Sequence, residues 1–157
     1  MLSDSSRASG EKTAAGFRGG CLCGTVRYEV TSEPVNMWNC HCADCRKVTG
    51  ARYATNVFVK VDDLKVTAGK TATFRHLADS GNTMTKEYCP ECGSQLFNSS
   101  SGRAALKVVR AGSIDDPSFV KPRANIFAAN ALPGAAGGDG IPTFDRMPPD
   151  PSVFFKT

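Results

Sequence analysis

The chain has 157 residues, of which 41% are hydrophobic and 22% are charged, and its formal net charge is +4. These values are ordinary for a globular protein and predict one domain with a core of its own. No apolar run is long enough to span a bilayer, and residues 1–16 lack the apolar segment of a secretory signal. We therefore expect a disordered leader at 1–16 and a cytoplasmic protein with no membrane partner.

The positive net charge does not by itself predict a nucleic-acid partner. It counts cysteines as neutral, whereas seven metal-bound thiolates with two divalent ions would change the net charge by −3, from +4 to +1. The longest basic run is Arg46-Lys47, which is too short for a groove that tracks phosphates. No nucleic-acid binding is expected.

Strands are predicted where apolar residues alternate or β-branched residues cluster between turn signals. The predicted strands are 25–30, 53–60, 72–77, 83–88, 95–98 and 104–111. A short helical turn is predicted at 44–48, and no long helical period occurs, so the fold class is mainly β. Proline and glycine are frequent near the end of the chain, where we expect a wrap or tail over 131–157.

The seven cysteines lie in three short groups. They are Cys21 with Cys23, then Cys40 with Cys42 and Cys45, and finally Cys89 with Cys92. In a chain without a secretory signal, such clustering indicates metal binding or catalysis rather than disulfides. An odd number of cysteines also cannot be fully paired.

Glycines indicate which cysteines belong together. Gly24 follows Cys23 and Gly93 follows Cys92, and a glycine there lets the backbone fold back so that amide N–H groups reach the sulfurs. We therefore predict one closed site, in which a structural zinc ion joins distant parts of the chain. Its ligands would be Cys21, Cys23, Cys89 and Cys92.

The remaining thiols, Cys40, Cys42 and Cys45, would hold a second zinc ion with an open fourth position. The alternative is that His41, His76 or an aspartate closes this site. An iron–sulfur cluster also takes thiolates, but the glycine-terminated turns favour zinc. Three thiolates give the complex a net charge of −1, which favours an incoming small thiol over water as the bound group.

Five residues near the central cysteines have two interpretations each. Arg46 and Lys47 either hold the carboxylates of an anionic thiol or form a solvated basic pair. Asp44 either accepts a hydrogen bond beside the metal ligands or begins a helix, and the helix start is favoured. Trp38 and Tyr53 could line a pocket, but core packing is favoured for both.

The motifs together resemble the glutathione-dependent formaldehyde-activating enzyme family, whose domain is shared with centromere protein V. The resemblance covers residues 17–130 and rests on Gly20-Cys21-Leu22-Cys23-Gly24, Cys40-His41-Cys42, Cys45-Arg46-Lys47 and Cys89-Pro90-Glu91-Cys92-Gly93. It implies an Mss4-like fold of small antiparallel sheets clasped by zinc, with two Zn²⁺ ions per chain. Two departures occur: Asn125 stands where a histidine is common, and Gly134 follows Leu132-Pro133 where an aromatic residue is frequent.

The function that the resemblance implies is that of a zinc-dependent carbon–sulfur lyase. Its substrate would be a glutathione–aldehyde adduct such as S-(hydroxymethyl)glutathione, so glutathione is the expected small-molecule partner. In this interpretation Cys40, Cys42 and Cys45 hold the catalytic zinc, and Cys21, Cys23, Cys89 and Cys92 hold the structural one. The alternatives are a zinc-stabilised binding module without catalysis and an enzyme acting on another small carbonyl compound.

Overall fold

The structure, a computed structural model, describes residues 16–150. The predicted leader, apart from its last residue, and the last seven residues of the predicted tail lie outside these described residues. The ten strands are β1 Phe17–Gly20, β2 Arg27–Val30, β3 Asn36–Cys40, β4 Ala54–Lys60, β5 Leu64–Ala68, β6 Ala72–Leu77, β7 Thr83–Tyr88, β8 Gln95–Ser100, β9 Leu106–Arg110 and β10 Asn125–Ile126. The α-helix is α1, Ala43–Thr49. None of the helices in this part of the chain is long and apolar enough to cross a membrane.

The strands form two sheets. One has three strands in the order β1-β2-β5, and the other has seven in the order β10-β3-β4-β9-β8-β7-β6. Neighbouring strands pair antiparallel except β10 and β3, which pair parallel at one edge of the larger sheet. The mainly β prediction is confirmed, and the larger sheet exceeds the small sheets that were expected.

The alternating segments of the sequence became strands close to their predicted bounds, and the hairpin between β6 and β7 turns at the predicted glycine. Four strands were not predicted: β1, β3, β5 and β10. β10 has two residues and pairs with β3 by sheet contacts that no local pattern reveals. β5 was missed although its sequence, 64–68, alternates apolar and polar residues; four of its five residues are exposed, so it adds little to either core.

Strand β4 separates two hydrophobic cores, because alternate residues of a strand point to opposite faces. Val57 and Val59 belong to the first core, whereas Ala54 and Phe58 belong to the second. The first core also contains the cysteines Cys21 and Cys89, and the second contains Cys40 and Cys45. Each cysteine group is therefore built into the edge of its own core.

The segment after β10 folds back along the second core. The backbone N–H of Asn125 donates to the carbonyl of Pro142 at 2.8 Å, and the N–H of Phe144 donates to the carbonyl of Asn125 at 2.8 Å. Phe144 and Met147 pack against the second core. The described part of the predicted tail thus wraps around the domain and covers its apolar side.

Candidate metal centres and the adjoining cleft

The four outer cysteines come together from two distant parts of the chain. One pair follows β1, and the other lies in the turn between β7 and β8. Their four Sγ atoms all lie within 4.8 Å of one another. The Sγ atoms of Cys21 and Cys23 are 3.5 Å apart, and those of Cys23 and Cys89 are 3.8 Å apart. Below, these four residues are called the four-thiol group.

Two glycines shape the turns that present these sulfurs. Gly24 has φ +81° and donates its N–H to the carbonyl of Cys21 at 3.1 Å. Gly93 has φ +76° and donates to the carbonyl of Cys89 at 2.9 Å. A side chain at either position would be strained in this left-handed conformation, which explains the sequence signal that paired the two halves.

Hydrogen-bond donors surround the outer sulfurs. The N–H of Val26 lies 3.2 Å from Cys21 Sγ. The side chain and backbone N–H of Thr25 lower the pKa of Cys23. Desolvation raises the pKa of Cys92, but hydrogen bonds from the side chain and backbone of Ser94 outweigh it and lower the value to about 6. The surroundings therefore favour the thiolate, the form that binds metals, at Cys23 and Cys92, whereas burial raises the pKa of Cys89 to about 11.

The sulfur spacing fits a tetrahedral zinc ion. With Zn–S bonds of about 2.3 Å, the edges of such a tetrahedron measure about 3.8 Å. The observed separations of 3.5 Å and 3.8 Å are close to this edge and far longer than a disulfide bond of about 2.05 Å. The four-thiol group thus has the donor atoms, spacing and hydrogen bonds that a structural zinc site requires.

The central cysteines form a second, local group. Cys40 ends β3, Cys42 precedes α1 and Cys45 lies in its first turn. Their Sγ atoms all lie within 4.8 Å of one another. The Sγ of Cys42 accepts the backbone N–H of Cys45 at 3.3 Å, so it also caps the helix. Below, these three residues are called the triplet.

The predicted division of the seven thiols into four and three matches this geometry. Within the described residues, the triplet gathers no histidine, aspartate or glutamate ligand atom. His41 is buried and its Nε2 lies 3.2 Å from Oδ1 of Asn125. His76 lies in β6, where its ring stacks against Phe74. Neither histidine closes the triplet as the alternative supposed.

Two buried cations lie near the triplet on the same side of the larger sheet. Lys86 donates to Oδ1 of Asn98 at 2.9 Å, and Nη1 of Arg110 donates to Oδ1 of Asn56. Hydrogen bonds from Cys40 and then Cys42 lower the pKa of Cys45 to about 2, and the positive charges of Arg110 and Lys86 add to this effect. The same sulfur contacts raise the pKa of Cys40, so the triplet concentrates negative charge on Cys45.

The sequence prediction missed Lys86 and Arg110. Each lies at an inward position of a strand, where an apolar residue is the rule. The available signal in the sequence was a basic residue at a strand position where an apolar one is usual. The sequence does not give the sheet register, so it could not place either residue near the cysteines. Burial, and next the charge of Arg110, lower the pKa of Lys86.

The other predicted residues near the triplet have different positions. Asp44 is exposed in the first turn of α1, as expected of a residue that begins a helix. Arg46 is half-buried and Lys47 exposed, and neither lines the adjoining cleft. Trp38 packs in the core with its ring 4.6 Å from that of Phe58. Tyr53 is half-buried against His41 and lines the cleft, so the favoured core-packing interpretation is wrong for it.

Asn125 connects the triplet with the C-terminal wrap. Its Oδ1 accepts from Asn39 at 3.1 Å and contacts His41, while its Nδ2 donates to Asp139 and to Oγ1 of Thr143 at 3.2 Å. The hydrogen bond from Asn125 lowers the pKa of Asp139. Asn125, where the resemblance predicts a histidine, is therefore the centre of a polar network that runs from the buried Asn39 and His41 to the exposed Asp139 and Thr143.

A cleft of 1050 Å³ lies between the four-thiol group and the end of α1. Its lining includes Cys21, Cys23 and Cys92 on one side and Val48 and Thr49 on the other. Ala54, whose partner in the sheet register is Cys40, also lines it, as do Arg110 and Gln95. The cleft is therefore large enough for a small ligand, and it is bordered by polar groups and by the four-thiol group, whereas the triplet cysteines lie behind its lining.

Fold and thiol geometry define a mainly β protein with two cysteine groups suited to metal ions. Residues 16–130 match the family described as glutathione-dependent formaldehyde-activating enzyme, and the chain belongs to this family. The resemblance inferred from the cysteine motifs is thus confirmed.

Two individual proteins are similar to this chain. A protein of Halomonas elongata named "Putative glutathione-dependent formaldehyde-activating enzyme" is 34% identical over 85 residues, which cover 52% of this chain and 54% of that protein. The match thus spans about half the length of this relative. A crystal structure of a Rhodobacter sphaeroides protein is 20% identical with a TM-score of 0.50, over 81% of this chain and 98% of that one. At this identity the likeness concerns the fold alone.

Proposed function

We propose that this protein binds two zinc ions and catalyses the reversible addition of glutathione to formaldehyde. In this proposal the four-thiol group holds a structural zinc ion and the triplet holds a catalytic one, within an Mss4-like fold. The observation that carries the proposal is the triplet itself: three Sγ atoms within 4.8 Å, with no fourth ligand atom gathered from the described residues. Family membership supplies the substrate class.

The donor set of the triplet fits zinc, because thiolates are preferred by soft and borderline ions. When bound there, zinc would supply a position for a fourth ligand and lower the pKa of a thiol. The chain's own contribution is the arrangement around that position. Cys40 and Cys45 are buried at the edge of the second core, while Cys42 is half-buried and offers access from solvent.

Lys86 and Arg110 favour a negatively charged ligand at this site. Three thiolates and one divalent ion carry a charge of −1, and the two buried cations contribute +2. The resulting charge of +1 favours an anionic ligand. The arrangement therefore favours the ionised form of a thiol substrate, the form that reacts with a carbonyl carbon.

The proposed reaction balances without a further reagent. A bond forms between the sulfur of glutathione and the carbon of formaldehyde, the carbonyl π bond opens, and the thiol proton ends on the oxygen. The product is S-(hydroxymethyl)glutathione, and the reverse reaction breaks the carbon–sulfur bond. Because thiols add to formaldehyde spontaneously, the protein would contribute positioning and a larger thiolate fraction.

A steady-state assay of adduct formation at low glutathione tests this proposal. We expect the zinc-loaded protein to raise the rate above the spontaneous reaction and Cys42→Ser to return the rate to the spontaneous value. The matched control is Lys47→Ser, which changes an exposed residue of α1 outside the cleft. A rate with the native protein equal to the spontaneous rate would refute the proposed activity.

A further inference from the structure

Arg110 is a buried cation that borders the cleft. It ends β9, is 5% exposed and is one of the residues lining the cleft. Its Nη1 donates to Oδ1 of Asn56, whose strand pairs with β9 at this position. Its Nε and Nη2 have no hydrogen-bond partner among the described residues. Two of its three nitrogen atoms are therefore buried without an acceptor.

The two unsatisfied nitrogens form one edge of the guanidinium plane. Nε and Nη2 point in the same direction, and this edge matches the two oxygens of a carboxylate in a bidentate pair. Leaving charged donors buried without an acceptor destabilises the folded state. An acceptor with two parallel oxygens would relieve this cost.

Arg27 provides a comparison within the same cleft. Its Nη1 donates to Oδ1 of Asp115 at 2.9 Å, and its Nη2 pairs with the other carboxylate oxygen. Arg27 thus has its carboxylate within the chain. The corresponding partner of Arg110 is not found among residues 16–150.

Surrounding charges also favour an anion beside Arg110. Lys86, the second buried cation, lies close enough for the charge of Arg110 to lower its pKa. Both cations have asparagine oxygens as hydrogen-bond acceptors rather than carboxylates. An anionic group that entered the cleft would therefore meet positive charge that no hydrogen-bonded carboxylate offsets.

We propose that Arg110 binds a carboxylate of the ligand that occupies the cleft, through its Nε and Nη2 atoms. Naming this ligand as a carboxylate-bearing thiol rests on the proposed function, and glutathione meets the description with two carboxylates. Arg110 is then a specificity-determining residue that selects acidic thiols over neutral ones. For Arg46 and Lys47, this role was one of two interpretations of the sequence, and neither residue lines the cleft.

Calorimetric titration of the full-length, zinc-loaded protein with glutathione and with glutathione diethyl ester tests the proposal. The ester keeps the thiol and the peptide but has no carboxylate. We expect the native protein to bind glutathione about 10–100-fold more tightly than the ester, as a charge-assisted pair of hydrogen bonds implies. Equal affinities, or no detectable binding of glutathione, would overturn the proposal without any variant.

Three variants test which residue is responsible for the preference for glutathione over its ester. Arg110→Gln should reduce the ratio of the two affinities to near 1. Arg110→Lys should reduce it almost as much, because a lysine lacks the planar pair of donors that fits a carboxylate. Arg75→Gln is the matched control: it removes an exposed arginine of β6 that does not line the cleft, and it should keep the native ratio. Zinc content and far-ultraviolet circular dichroism confirm that each variant is folded and loaded. An unchanged ratio in folded Arg110→Gln would refute the assignment.

Failure of this inference can be distinguished from failure of the proposed function. A native preference for glutathione over its ester, together with adduct formation at the spontaneous rate, would refute the activity and keep the carboxylate site. Measurable catalysis with equal affinities for acid and ester would refute the carboxylate site and keep the activity.

Discussion

The four-thiol group and the triplet use the same side chain in two contrasting settings. The four-thiol group joins the end of β1 to the turn between β7 and β8, and its sulfurs meet hydroxyl and backbone N–H donors. The triplet comes from six consecutive residues, and its surroundings include two buried cations. One group closes a long loop of chain, and the other is assembled locally at the start of a helix.

This difference predicts separate roles for the two groups, one in the stability of the fold and the other in ligand chemistry. Losing the zinc ion that joins distant segments would leave a long loop of chain unclosed and would expose a core. Losing an ion held by six neighbouring residues would open no long loop. Buried positive charge, in turn, destabilises the folded state when it is unpaired, and it attracts anions. We infer that the four-thiol group mainly stabilises the fold and that the triplet mainly serves ligand binding.

The largest expected effect is on the four-thiol group. Cys89 is fully buried in the first core, so Cys89→Ser should weaken zinc binding and destabilise the folded state by about 5 kcal/mol or more. Thermal unfolding followed by circular dichroism measures the loss. A melting temperature equal to that of the native protein would contradict a structural role for this group.

Cys42→Ser should show the opposite behaviour. The change removes one sulfur from the triplet, and we expect loss of one zinc ion and of adduct formation, with the melting temperature kept within about 4 °C of the native value. Zinc analysis and thermal unfolding of the same sample measure the zinc content and the melting temperature. Unfolding of this variant would instead favour a zinc-stabilised binding module, in which both metals are structural; the burial of Cys40 and Cys45 is the observation on its side.

Asn125→Ala should loosen the wrap beside the triplet. The change removes the acceptor of the buried Asn39 amide and the donor to the exposed Asp139, so we expect a cost of about 1–3 kcal/mol and faster amide hydrogen exchange at residues 139–144. Asn130→Ala, at an exposed position shortly after β10, is the matched control and should cost less than about 0.5 kcal/mol. Equal exchange rates at residues 139–144 in both variants would show that Asn125 does not hold the wrap in place.

Tyr28→Phe should have the smallest effect and should act on the first core. Tyr28 is buried and hydrogen-bonds Ser113 at 2.8 Å, so its loss should cost about 1 kcal/mol near neutral pH. Burial raises the pKa of Tyr28 in the folded state, with the hydrogen bond to Ser113 opposing the rise. The unfolded chain therefore releases this proton first as pH rises.

The consequence of that raised pKa is a stability contribution that is fully present below about pH 10 and declines above it, by about 1.4 kcal/mol per pH unit. Tyr28→Phe should remove this decline. Urea unfolding of the native and variant proteins between pH 8 and pH 11 measures the two slopes. Parallel slopes above pH 10 would show that Tyr28 is not kept neutral by the fold.

The sequence predicted the cysteine groups well because thiol spacing and glycine placement are local signals. Gly24 and Gly93 adopt the left-handed conformation that their positions indicated, and the four-plus-three division matches the sulfur geometry. β2 was predicted from the alternation of Val26, Tyr28 and Val30, and β6 and β7 were predicted from the turn signal between them, which are also local signals.

The unpredicted features depend on contacts between distant residues. β10 exists because it pairs with β3, and Arg110 meets Asn56 only through the register of β4 and β9. The cleft itself joins residues from positions 20 to 115, so no window of sequence could reveal it. Tyr53 was assigned to the core as the first residue of the predicted strand 53–60, but the observed strand begins at Ala54.

Zinc stoichiometry with X-ray absorption tests most directly whether the seven thiols serve two different sites. We predict two zinc ions per chain in the native protein, one with four sulfur ligands and the other with three sulfurs and one lighter atom. In Cys42→Ser, one zinc ion should remain, with four sulfur ligands. A single zinc ion per native chain, or four sulfurs at both ions, would contradict the division into a closed and an open site.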